Sequence, residues 1–324
     1  MGAQPFWLNM VIIIMKNNTL SLSEVAGMFG TSIENLSDSF IDYYNSLDMN
    51  YEIITKEEER ALILDILKRM DSDSQVIGAP ERTEVWRKGW EENLLDFKSS
   101  KNKQSIIPKF IRPNQIIRLN KKFVKTSNPF FEKDFAKLSQ LHAYNKFITK
   151  DIDEVHEFGC GSGFNLISLS EEYPDLKIFG SDFVQTSVEL INELSSHYNI
   201  NLEGHFFDMI EPDYNYKMGS NSCVFTHGSL EQLANKYKNF INFLIYKKPK
   251  ICFHIEPTIE VYDKEDLFDY LQIKFHNQRG YSTGMLSYLE EKQRLGLIKD
   301  LSCKRIFFGN KFMEGYTLTS WRTA

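Results

Sequence analysis

The chain has 324 residues, 42% of them hydrophobic and 25% charged, with a formal net charge of −6. That balance is ordinary for a globular protein and gives the molecule no general attraction for nucleic acid or an anionic membrane. Cys160, Cys223, Cys252 and Cys303 lie far apart without metal-ligand spacing, so a reduced, cytoplasmic protein without a metal site is expected.

The first apolar run, Phe6 to Met15, is too short to span a bilayer and lacks a signal peptide's basic start and cleavage site. Residues 1–14 are expected to be non-native or disordered, with Met15 as the natural start. Residues 1–97 read as a helical region. Ser21 and Glu24 form a capping-box pattern ahead of Val25, Met28 and Phe29, Thr31-Ser32 opens a second helix, and Ala61, Leu62, Leu64, Ile66 and Leu67 recur at helical period between Glu57 and Met70. Ala26 and Gly30, followed by Leu36, faintly resemble a DNA-binding helix-turn-helix. Its second helix would carry Glu34, Asp38 and Asp42, which is poor chemistry for phosphate, and a helical bundle beside another domain is the simpler reading.

Residues 98–150 read as a basic connector and a leading helix. Nine Lys and Arg and no acidic residue fall between Lys98 and Lys125, punctuated by Pro108 and Pro113. Such a segment suits an electropositive flap over a cleft, with Arg112 and Arg118 as contacts to an anionic substrate. A solvated linker whose lysines keep an exposed edge soluble is the simpler reading. Residues 130–147 return to helix.

From residue 153 onward strands alternate with helices: 153–158, 177–182, 203–208, 222–227 and 250–256 as strands, with helices near 264–275 and 283–295. The alternation predicts a parallel sheet covered on both faces. Arg305–Gly309 and Tyr316–Arg322 are expected to close it as an antiparallel hairpin. The first strand runs into Glu157-Phe158-Gly159-Cys160-Gly161-Ser162-Gly163, and a helix follows. Glycines at a strand-to-helix turn admit a ligand to the backbone and to the helix N-terminus. A dinucleotide turn would read G-x-G-x-x-G, but here the third glycine comes one residue early and Phe164 takes its place. Asp182, ending the second strand, suits a pair of ribose hydroxyls. Asp208 followed by Met209, ending the third, suits an adenine.

Together these residues resemble the class I S-adenosylmethionine (SAM)-dependent methyltransferases over residues 150–324. The resemblance implies an enzyme of α/β class, with a mostly parallel seven-stranded Rossmann-like sheet, a C-terminal antiparallel hairpin and the helical region in front. It implies SAM held by Glu157, Gly159, Gly161, Gly163, Asp182, Asp208 and Met209, with His227 lining the cofactor or the acceptor. The stretch Thr226–Leu233 resembles the family's V-L-E-H segment, with Gln232 where His is common. His254 and Glu256 alternate on one strand and so share a side; with His227 they are the candidate catalytic groups, His254 as base. Glu231, Arg279 in the loop His276–Tyr281, and Tyr262 are further candidates for substrate contact, and Trp86 or Trp90 for packing on a sulfonium. The expected reaction is methyl transfer to a small, polar, anionic molecule. A protein or RNA methyltransferase that docks through its N-terminal helices, and a SAM-sensing DNA-binding regulator, are the alternatives.

Overall fold

Local capping chemistry starts the N-terminal helices. The computed structural model describes residues 18–73 and 81–324; the run Phe6–Met15 and the expectation for residues 1–14 lie outside these. After β1 (Asn18–Thr19), α1 (Leu22–Met28) opens on the Ser21/Glu24 capping box, with the Ser21 amide donating to Glu24 Oε2 at 2.8 Å. α2 (Asp38–Asn45) is followed by β2 (Asn50–Ile53). α3 (Lys56–Ser72) opens on a second capping box, Thr55/Glu58, which lay one turn upstream of the apolar periodicity. Thr31-Ser32 does not open a recognition helix. Gly30 takes a φ of +72°, and only the three-residue turn Ile33–Asn35 forms before Leu36 goes extended.

α4 (Glu81–Ser100) leads into the basic connector, which supplies β3 (Ile117–Leu119) and β4 (Lys122–Thr126). The two-residue turn between them puts both Asn120 and Lys121 at positive φ, +48° and +59°, matching the primed turns that suit strand twist. α5 (Phe131–Phe147) then crosses to the main sheet. There β5 (Glu154–Phe158), α6 (Phe164–Glu172), β6 (Lys177–Asp182), α7 (Gln185–Tyr198), β7 (Leu202–Phe206), β8 (Ser222–His227), α8 (Tyr237–Lys247) and β9 (Ile251–Glu256) alternate as expected. α9 (Leu267–Arg279), α10 (Met285–Arg294), β10 (Ile298–Lys304), β11 (Phe308–Asn310) and β12 (Thr317–Thr323) complete the chain.

The seven-stranded sheet runs β10-β12-β9-β8-β5-β6-β7, and β12 is antiparallel to both of its neighbours. β5 through β9 pair in parallel. The architecture is therefore α/β and Rossmann-like, with one reversed strand near its end. A hairpin does close the sheet, but its first strand is Ile298–Lys304 and not Arg305–Gly309. β10 is a largely exposed edge strand, and its polar sequence hides it. The apolar run that looked like the strand is buried elsewhere. Phe308 stacks on Phe135 with ring centroids 3.7 Å apart, and β11 pairs with β3.

That pairing completes a second, antiparallel sheet of order β1-β2-β4-β3-β11. The region expected to be helical therefore also lends β1 and β2 to a sheet. On one side of the main sheet the core joins α5 and the N-terminal elements through Phe147, Phe253 and Phe225, stacked at 5.0 and 5.1 Å. α8 and α10 cover the other side through Phe240, Leu244 and Leu289.

Candidate functional site

The turn after β5 is built on three left-handed residues, Gly159, Gly161 and Gly163, with φ of +74°, +53° and +75°. A side chain at any of them is strained on backbone grounds alone. The Gly159 and Cys160 amides donate to Ser181 O at 2.7 and 3.1 Å, which ties the turn to the tip of β6. Each glycine also answers a packing demand of the protein itself. A Cβ on Gly159 would meet Ser229, and one on Gly161 would lie 2.6 Å from Trp90 Cζ2. One on Gly163 would lie 2.5 Å from Ile191 Cδ1. The third glycine thus lets α6 and α7 approach one another. The second lets the indole of Trp90, stacked on Trp86 at 5.5 Å, lie against the turn.

Around the turn stand the carboxylates. Glu157 is fully buried; its Oε1 accepts from Asn165 Nδ2 at 2.5 Å and its Oε2 has no partner. Burial pushes its pKa well above the usual carboxylate range. Asp182, also buried, accepts from the Gly161 amide through Oδ2 and the Val184 amide through Oδ1, both at 2.9 Å. Burial raises its pKa to about 6 against the pull of those amides. A carboxylate offers about four lone-pair positions, so two backbone bonds leave capacity for two hydroxyls. Asp208 lies two residues beyond β7, half-buried, and accepts from the Ile210 amide at 2.7 Å. Met209 is buried, with its Cε 3.3 Å from where a Cβ on Gly159 would stand. The residues singled out for the cofactor thus converge on the turn from three strand tips.

A fourth tip adds His227, half-buried beside Tyr316 with ring centroids 5.7 Å apart. Its Nδ1 is buried without a partner, and burial lowers its pKa to about 4. Gly228 behind it is exposed, at a φ of +63°.

His254 does not share this openness. Trp321 Nε1, a donor only, gives its proton to His254 Nε2 at 3.0 Å, so the ring proton sits on Nδ1 and goes to Thr226 Oγ1, also at 3.0 Å. The ring is fully buried, its pKa pushed down to about 3. With both nitrogens committed it pins β8, β9 and β12 together and offers no lone pair to an acceptor. This corrects its reading as a base.

Glu256 is buried as well; both its oxygens accept from the Ser229 amide, at 3.2 and 3.0 Å. Burial and the neighbouring Glu231 carboxyl raise its pKa well above normal. Glu231 keeps Oε2 unpartnered and takes Gln232 Nε2 on Oε1 at 2.8 Å. Gln232, standing where the family often has His, thus holds Glu231.

Three substrate candidates lie in structural networks instead. Arg118 is fully buried, donates to Phe268 O at 2.8 Å and Lys311 O at 3.2 Å, and stacks 4.0 Å over Phe268. Its Nη2 lacks a hydrogen-bond partner, but the fully buried guanidinium lies against the Phe123 and Phe268 rings and is not open to a ligand. Tyr262 donates to Glu314 O at 3.0 Å beneath the Arg305 guanidinium. Arg279 ends α9 and bridges Asp73 at 2.8 Å, while His276 sits inside α9 and bonds Ser282 O at 2.6 Å. Arg112 is exposed.

The basic segment is largely neutralised within the chain. Lys101, Lys103, Lys109, Lys121 and Lys125 pair with Glu193, Glu171, Asp96, Asp266 and Glu58. It does reach the turn, where Ser162 Oγ donates to Ile106 O at 2.6 Å.

Sequence reasoning missed Asn165, Ser229 and Trp321. Asn165, a polar residue in the first turn of the helix directly after the glycine turn, carried a signal. Ser229 and Trp321 carried none, because their roles arise across strands. Among the described residues no His, Cys, Asp and Glu cluster converges as metal ligands, and no helix is long and apolar enough to cross a membrane.

No family model and no curated protein matches the chain. Solved structures do resemble it. The [4+2]-cyclase SpnF superposes with a TM-score of 0.49 at 13% identity, over 77% of this chain and 98% of its own. The small RNA methyltransferase HEN1 gives 0.44 at 14%, over 62% and 28%. PigF, solved with SAH, gives 0.43 at 12%, and the chain spans 59% of its length. At these identities the likeness concerns the fold alone.

Proposed function

We propose that this chain binds SAM and transfers its methyl group to a small polar acceptor. The observation that carries the reading is the unpartnered, fully buried Glu157 Oε2 at the glycine turn, with Asp182 on the neighbouring strand tip. An orphaned carboxylate oxygen is costly without a ligand to satisfy it. An ammonium group such as that of a bound amino acid moiety would satisfy it. Asp182 would take the ribose hydroxyls, Met209 would pack on the adenine, and Asp208 would accept from its amine.

Bound SAM supplies a methyl group on a sulfonium, whose leaving group is already activated. The protein then has to align the acceptor and exclude water. The exposed Gly228 leaves room beside the half-buried His227, whose depressed pKa keeps it neutral. Glu231, whose Oε2 is unpartnered, would orient a hydroxyl or amine. This lining is acidic, which favours a neutral or cationic acceptor over the anionic one that the basic segment suggested. A small molecule is favoured over a macromolecule because α2 and the basic connector are engaged internally, α2 through Tyr43 to Asp134 at 2.8 Å.

Calorimetry with SAM and S-adenosylhomocysteine, and mass spectrometry of products from labelled SAM and a fractionated metabolite extract, test the proposal. Glu157→Gln is the informative variant, because it keeps the shape and removes the charge; Gly161→Arg would collide with Trp90 whether or not SAM binds there. Saturable SAM binding that Glu157→Gln weakens is expected. No binding of SAM, or saturable micromolar NADH binding, would overturn the assignment.

A further inference from the structure

We infer that the chain has a second ligand site, for a small oxyanion carried on an apolar body, in the cleft between α5, α6 and the basic connector. The inference does not depend on the cofactor reading. The cleft has a volume of about 160 Å³ and lies against the face of α6 that carries Phe164, Ile167, Ser168 and Glu171. The opposite face of α6 packs on the main sheet, with Leu166 and Leu169 fully buried.

Three ammonium groups border the cleft: Lys103 of the connector, and Lys133 and Lys137 one turn apart on α5. Two carboxylates answer them. Lys103 and Lys137 share Glu171, at 2.7 and 3.1 Å, and Lys133 reaches Asp134 at 2.9 Å. Asp134 is further spent on Tyr43 and Asn128, at 2.8 and 2.7 Å. One positive charge is therefore in excess. Each ammonium has three donors, of which Glu171 takes only one from Lys103 and one from Lys137.

The independent sign of a ligand is Ser168. Its side chain lines the cleft, the residue is 6% exposed, and its hydroxyl is buried without a hydrogen-bond partner. A serine in a helix ordinarily bonds back to a carbonyl one turn earlier or faces water. This one does neither, and an oxyanion held by the lysines would accept its proton. Ile106, Ile107 and Ile167 form an apolar wall for the rest of the ligand. Lys103 belongs to the run of basic residues between 98 and 125, so part of that charge has a specific place to act.

Phenyl phosphate and benzoate are suitable probes, titrated into the full chain at ionic strength held constant with sodium chloride. Either should bind saturably and raise the melting temperature. Lys137→Met and Ser168→Ala should each weaken the interaction about tenfold or more, as for a hydrogen bond to a charged group. Inorganic phosphate should bind more weakly than phenyl phosphate, since it leaves the apolar wall uncovered. Affinity unchanged in Ser168→Ala, or a thermal response that sodium chloride alone reproduces, would overturn the site. The serine variant guards the test, since it removes one atom from an unbonded side chain and threatens the fold least.

Discussion

The tips of β5 to β8 and the tip of β9 lie on the same edge of one sheet, yet they keep their polar groups differently. At the first set, Glu157 has an orphaned oxygen, Asp182 has unused lone pairs and His227 has an unpartnered Nδ1. At the second set, His254 is saturated by Trp321 and Thr226, and both Glu256 oxygens accept from the Ser229 amide. Ionisable residues occur at both, so residue type does not tell a ligand contact from a sheet pin. Hydrogen-bond saturation does. A buried polar group with all its partners inside the protein stabilises the fold, whereas one missing a partner beside an open cleft has capacity for a ligand.

The largest test of this contrast is His254→Ala. It removes a buried ring and strands the Trp321 indole N–H, so urea denaturation should show a loss of about 3–5 kcal/mol, typical of a large core truncation that also leaves a buried donor unpaired. Any activity per folded molecule should stay within a few fold of the parent. A loss of about a hundredfold or more in kcat with stability unchanged would restore His254 as a base. On the open side, Asp182→Ala should weaken SAM binding by about 1.5–3 kcal/mol by calorimetry, as for a hydrogen bond to a charged group. If SAM affinity did not move, the first set of tips would be a packing feature like the second.

A smaller effect concerns pH. Burial raises the buried Glu132 to about 7 from a usual 4.5, so the folded state holds its proton longer than the unfolded chain. Its contribution is present in full below pH 4.5 and falls away as pH rises towards 7. His254, lowered to about 3, acts in the opposite sense: its contribution is lost as pH falls from 6.5 towards 3. Glu132→Gln should therefore flatten the decline of stability between pH 5 and 7, an effect on the order of 1–3 kcal/mol in denaturation midpoints. An unchanged slope in that window would show that Glu132 titrates normally. The smallest effect is optical. Trp90 lies against Gly161, so SAM should change tryptophan emission and Trp90→Phe should remove most of that change. A full response in the variant would place the bound molecule away from the turn.

The sequence alone determined the β5–α6 turn, the alternation from 153 to 256 and the placing of Glu157, Asp182 and Asp208 at or just past strand ends. Those features are written locally: glycines at left-handed positions, helical and strand periods, and carboxylates at the ends of apolar runs. The Glu157–Asn165 bond spans only eight residues. What tertiary structure decided was everything that depends on partners far along the chain. The closing strand went to polar Ile298–Lys304 because Ile306 and Phe308 found a better burial against Phe135 and β3. His254 lost its catalytic reading to Trp321, 67 residues away, and Arg118 lost its substrate to a carbonyl 150 residues away. A residue's period and type are fixed by its neighbours in sequence, whereas the fate of its last lone pair or proton is settled by whichever distant group the fold brings within about 3 Å.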